Sequence, residues 1–185
     1  MEIRSLMANK EGSWERQHSE FLAFITRFGN KVVSEEASRY LRKLSPKDLT
    51  TPGTSLLLAV ITSEDGERIA GASCMTSYGC GINLVIVHPL YRGTGIGSKL
   101  LMNQISALGR LSCLVSLNNI SSLQMCFRAG LSARGLIKGQ GGRPLLLLED
   151  ISDLSPIQKV VSPTTFKEGD PVVTTRPGHI DSISK

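Results

Sequence analysis

The chain has 185 residues, 41% hydrophobic and 20% charged, which suits one domain with a buried core and is too short for two comfortable ones. No apolar run approaches the roughly 20 residues of a membrane span, and the opening MEIRSLMANKEGSWER lacks a secretory apolar stretch, so a cytoplasmic protein is expected. The net charge of +5 is unevenly spread: Arg68 to Leu148 holds eight basic residues and no Asp or Glu at all. Such a field favours an anionic partner, either a phosphorylated cofactor or a nucleic acid, with a merely solvated basic face as the plain alternative. The four cysteines (Cys74, Cys80, Cys113, Cys126) form no CxxC pair, and His18, His88 and His179 lie far apart. No metal site is therefore expected, and reduced, buried thiols are.

In chain order, EIRSL suits a short first strand. Trp14, Phe21, Phe24, Ile25 and Phe28 recur at helical spacing and predict an amphipathic helix from about Trp14 to Phe28. A second helix is expected from an N-cap at Ser34 to about Leu44, ahead of Pro46. The period then changes: SLLLAVIT is a buried strand, SEDGE a turn and RIAGASCMTSY the returning strand of a hairpin. INLVIV, stopped by His88 and Pro89, is the next strand; a helix spans about Ile96 to Leu108, and SCLVSL is again a strand. ISSLQMCFRAG gives a short helix, and LSARGLIK and RPLLLLED a last strand pair. The order β-α-α-β-β-β-α-β-α-β-β predicts an α/β (α+β) domain over residues 1–150, a mixed sheet with helices on its faces. Residues 151–185 change to Pro, Ser and Thr and are expected to form an extended or partly ordered tail, or an arm between protomers.

Between the INLVIV strand and the helix lies HPLYRGTGIGSKLL, residues 88–101, with glycines at alternate positions. A strand entering a helix through glycines exposes backbone N–H groups unobstructed by Cβ atoms, and the helix start adds about half a positive charge. That combination is a cradle for phosphate oxygens, with Arg92 and Lys99 nearby. The spacing is not that of a dinucleotide fingerprint, which needs G-x-G-x-x-G and an acid about 20 residues later, nor of a P-loop, which ends in Gly-Lys-Ser/Thr.

Arg92-Gly93-Thr94-Gly95-Ile96-Gly97 instead satisfies Arg/Gln-x-x-Gly-x-Gly/Ala at a helix start, and NNISSLQMCFRAGL looks like a second, Asn-led segment. Together with the strand order, these resemble the coenzyme A signature of the GCN5-related N-acetyltransferase (GNAT) superfamily, from about Leu56 to Leu148. The resemblance implies acetyl-CoA as cosubstrate. The pantetheine arm would pair with Val85, Ile86 and Val87 as an added strand, in a sheet that splays open after that strand. The amides of Gly93, Thr94, Gly95, Ile96, Gly97 and Ser98 would hold the pyrophosphate beside Arg92. Asn119 would contact the cofactor from the opposite side. Plain core packing of Val85 to Val87 is compatible with the same strand.

The family's chemistry needs a base for the amine, a polarised thioester carbonyl and an acid for the departing thiolate. The positions where family members carry a carboxylate hold Asn83 and Leu114, so any Asp or Glu base must come from the N-terminal helices or the tail. Where they place the tyrosine acid, this chain has Cys126, a proton donor or an inert core thiol. Tyr78 and Tyr91 are substitutes, and His88 has a suitable pKa for a base. Three readings follow: an N-acetyltransferase of unknown amine acceptor, a coenzyme A-binding protein with a recognition or assembly role, and a basic nucleic-acid-binding module. The last is weakened by having only Tyr78, Tyr91 and Phe127 among the charges. A protein, small-molecule or nucleobase amine all fit the sequence, and a homodimer is compatible with it.

Overall fold

The first helix, α1 (Trp14–Gly29), turns Phe21, Phe24 and Ile25 inward because apolar residues three and four apart share one face. It ends where Gly29 meets the Ile86 side chain so closely that no Cβ would fit. The second, α2 (Glu35–Lys43), starts at Ser34, whose Oγ accepts a hydrogen bond from Ala37 N–H at 3.1 Å, and buries Leu41. The computed structural model describes residues 1–6, 14–29, 33–64 and 66–150. The 151–185 tail and the Asp of the expected Asp-Gly turn lie outside them.

Four strands, β1 (Glu2–Ser5), β2 (Ser55–Ser63), β3 (Gly66–Met75) and β4 (Asn83–Val87), form an antiparallel sheet in that order. β2 is apolar without alternation because both its faces are covered. Leu56, Leu58 and Val60 join Phe21, Leu41 and Ile86 in the core under α1 and α2. Leu57 and Ala59 face Ile96 and Leu100 of α3 (Ile96–Leu108) on the other side. Burying a leucine as fully as Leu100 contributes about 1.5–3 kcal/mol. α3 lies close on β3, where a Cβ at Gly71 would stand 3.0 Å from the Ile96 side chain.

Three further strands, β5 (Ser112–Ser116), β6 (Leu131–Lys138) and β7 (Pro144–Asp150), form a second antiparallel sheet in the order β5-β7-β6. With α3 and α4 (Ile120–Arg128) they enclose a separate core of Met75, Leu101, Cys113, Leu131 and Leu148. The element order matches the sequence expectation, and the sheet parts after β4, where the family resemblance implies a splay. All pairings among the described residues are antiparallel, and no ladder joins β4 to β5.

The returning hairpin strand also ends earlier than RIAGASCMTSY suggests. β3 stops at Met75 because Ser77 and Tyr78 adopt left-handed backbone (φ 51° and 57°). Tyr78 N–H bonds to Gly53 O at 2.9 Å, and Thr76 O accepts from both Gly79 and Gly81 N–H. Two non-glycine residues with positive φ cost on the order of 1–3 kcal/mol each, so tertiary contacts must hold this turn.

Candidate active site

Where β4 and β5 part, each strand keeps one edge without a ladder, and a cleft of about 240 Å³ opens between them. Asn83 and Val85 form one wall, Leu114, Val115 and Ser116 the other, and Asn119, Met125 and Cys126 the α4 side. Val85 and Val87 are half-buried, and Ile86 is buried in the core beneath α1. Arg92 Nε donates to Val87 O at 3.2 Å, so the arginine is anchored at the end of β4.

The glycine turn follows directly. Gly93 and Gly95 have φ of 80° and 87°, and a Cβ built on either meets nothing within 4 Å. These two positions need glycine for their backbone conformation, and their outer side is open. Gly97 serves differently: its φ is ordinary, but a Cβ there would lie 2.5 Å from Met125 Sδ, so it lets α3 and α4 approach. Lys99 supplies the first helical N–H that bonds backward, to Gly95 O at 3.0 Å. The amides of Ile96, Gly97 and Ser98 precede it without intrahelical acceptors, and Gly95 offers no side-chain cap. Thr94 Oγ1 donates to Tyr91 O at 2.7 Å and Ser98 Oγ to Met125 O at 3.1 Å, so both hydroxyls brace the turn. Arg92 and Lys99 are exposed on the same turn. Open amides, positive-φ glycines and two cations suit a pyrophosphate.

Asn119 caps α4, its Oδ1 accepting from Ser122 N–H at 3.2 Å, and faces the cleft opposite β4. Cys126 lines the cleft with its Sγ 4.0 Å from Cys113 Sγ. Hydrogen bonding with Cys113, together with burial, holds the Cys126 thiol far above the ordinary range. Tyr78 is placed apart from this group. Its ring packs on Gly53 and carries the Arg110 guanidinium 4.1 Å above its centroid, and it lines neither cleft nor cavity. His88 sits between the rings of Phe28 (4.4 Å) and Tyr91 (5.5 Å), with Nδ1 accepting from Leu90 N–H.

Behind the cleft, on the α2 side of the split, is a larger cavity of about 850 Å³. It shares Asn83, Leu84 and Leu114 with the cleft, so the two spaces meet there. Glu36 and Tyr40 of α2, Thr76 and Cys80 of the β3–β4 turn, and Ile137 and Leu147 of the small sheet complete its walls. Glu36 is the one carboxylate among these described lining residues. Tyr40, Ile137 and Leu147 carry no signal in the sequence, because only the splitting of the sheet turns them toward a common space.

The architecture is that of the acetyltransferases among solved structures. The spermidine N-acetyltransferase SpeG of Vibrio cholerae matches with a TM-score of 0.56 at 13% identity, over 81% of this chain and 94% of that one. AAC(6')-Ib in a complex with acetyl-CoA matches with a TM-score of 0.56 at 14% identity, over 80% of this chain and 91% of that one. Its complex with ribostamycin and coenzyme A gives 0.53 at 15%, over 80% and 91%. At these identities the likeness shows the fold. No curated protein matches the chain in sequence. The model of the acetyltransferase (GNAT) family matches residues 15–130, and the chain belongs to that family.

Proposed function

We propose that this protein transfers an acetyl group from acetyl-CoA directly to an amine that enters through the α2-side cavity. The observation that carries the reading is the positive-φ, outwardly open Gly93–Gly95 turn at the mouth of an unladdered β4–β5 cleft. The turn's amides with Arg92 and Lys99 would hold the pyrophosphate, the free edge of β4 at Val85 to Val87 the pantetheine arm, and Asn119 the opposite side. When bound, acetyl-CoA supplies the acetyl group as an activated thioester.

The chain's own residues would manage protons at the junction of cleft and cavity. Asn83 and Leu114 carry no base, and Glu36 is the carboxylate among the described residues lining the acceptor space. We assign Glu36 the proton of the attacking amine, received through water. Of the donors weighed from the sequence, Cys126 lines the cleft, the Tyr78 ring is engaged by Gly53 and Arg110, and Tyr91 packs against His88 beside the glycine turn. The Cys126 thiol is shared with Cys113, 4.0 Å away, so solvent protonates the departing thiolate in this reading.

Steady-state kinetics with acetyl-CoA and a panel of primary amines test the proposal. Glu36→Gln should lower kcat by about 100-fold or more, the usual contribution of a general base, with KM for acetyl-CoA nearly unchanged. A fully active Glu36→Gln protein would remove Glu36 from the mechanism. Absence of acetyl transfer to every amine would remove the function.

A further inference from the structure

The walls of the 850 Å³ cavity bear on which amines it admits, an inference that rests on the acceptor entering there. Leu114 of β5 and Leu147 of β7 are direct cross-strand partners, so their side chains share one face of the small sheet. Ile137 of β6 pairs with Leu145, two residues along β7 from Leu147, and therefore stands on that same face. Leu114 and Ile137, each within a strand, are 44% and 42% exposed. Aliphatic side chains from three adjacent strands thus line a space large enough for an organic ligand, opposite the half-open ring of Tyr40.

Charge on the same walls is sparse. Glu36 is the single carboxylate among the described lining residues. Glu149 stands further along the face of Leu147 but is occupied by Arg134 (3.7 Å) and by Ser112 Oγ (3.5 Å). If Glu36 serves the amine that reacts, the described lining residues hold no further carboxylate to pair with a second ammonium. A second ammonium beside Leu114, Ile137 and Leu147 would gain no ion pair, whereas an apolar body there would bury hydrocarbon. From this complementarity we infer that the acceptor is a primary monoamine on an apolar body, an alkylamine or arylalkylamine, and not a polyamine.

The test is initial-rate acetylation by the full chain of hexylamine, 2-phenylethylamine and spermidine at saturating acetyl-CoA. The expected result is a kcat/KM for the two apolar monoamines at least about tenfold above that for spermidine, a difference of ~1.4 kcal/mol. Leu114→Asp should raise KM for 2-phenylethylamine about tenfold and lower that for spermidine. Should that variant fail to fold, Ile137→Asp, on the exposed edge strand, should shift both constants the same way. Spermidine used as well as the monoamines, or unmoved preferences in a folded variant, would overturn the inference while leaving acetyl transfer in place. Turnover with none of the three would overturn it together with the reading on which it rests.

Discussion

Substituting Gly95 separates the turn's part in folding from its part in binding. At φ 87° and with nothing within 4 Å of a Cβ, an alanine there meets no steric obstacle and bears only the left-handed backbone penalty. That penalty is about 1–2 kcal/mol, which for a chain of this size lowers Tm by roughly 2–8 °C. Asparagine tolerates the left-handed region better, so Gly95→Asn should lose less stability than Gly95→Ala. Binding should respond in the opposite order, since the larger side chain projects further into the open side of the turn. Losing one charge-assisted hydrogen bond to phosphate costs about 1.5–3 kcal/mol, so the Kd for acetyl-CoA should weaken by about 10- to 100-fold. Thermal melts and calorimetric titration on the same samples read both quantities. A Gly95→Asn protein that melts near the parent and binds acetyl-CoA within about twofold of it would refute the cradle.

Three other outcomes follow from the same structure. Gly97→Ala should push the Met125 side chain aside, so in a double-mutant cycle read by urea melts Met125→Ala should cost less in the Gly97→Ala background than in the parent, a coupling that independent sites would not show. Cys80 is exposed on the cavity wall while Cys74, Cys113 and Cys126 are buried, and burial pushes the Cys74 thiol up to about 12. Iodoacetamide at about pH 8 should therefore label Cys80 alone in the native protein and slow acetyl transfer, while labelling at Cys74 would contradict its burial. Asp48 accepts from Ser45 N–H and Oγ, both at 2.7 Å, and these bonds hold its carboxyl below the ordinary range. A depressed folded-state pKa contributes stability above the unfolded value near 3.9 and loses it as pH falls through the lowered one. The parent should thus outlast Asp48→Asn in urea at neutral pH, with the gap closing on acidification below about pH 4.

Most of the fold could be read from local pattern. The helix at Ile96–Leu108 and the strand at Leu131–Lys138 fall where periodicity and flanking glycines put them. The continuous apolar run of β2 signalled a strand covered on both faces, as Leu56 and Leu57 turned to opposite cores show. What local pattern missed was set by distant partners. Tyr78 closes the segment expected as the returning hairpin strand, yet Gly53 and Arg110, far away in sequence, hold it in a left-handed turn. The division of the sheet into two has no local signature either, since β4 and β5 are each ordinary strands and differ only in lacking a shared ladder.

The candidate site was legible only in its glycine turn. Glycine turns announce themselves because few other backbones need that residue, although the three glycines proved to do two jobs, conformation at Gly93 and Gly95 and helix approach at Gly97. Glu36 was one of several glutamates on an amphipathic helix, where charge ordinarily marks the solvated face. Only the packing of α2 over the split sheet brings that carboxylate, and not its neighbour Glu35, to the cavity wall. The closeness of Cys126 to Cys113, which decides how firmly its proton is held, also depends on α4 packing against β5.

The most direct test of the central claim is acetyl transfer itself: the purified chain incubated with acetyl-CoA labelled in the acetyl group and with 2-phenylethylamine, followed by product analysis. Label is expected on the amine nitrogen, at a rate that falls sharply in Gly95→Asn. Label remaining on coenzyme A, or transfer indifferent to Gly95, would contradict it.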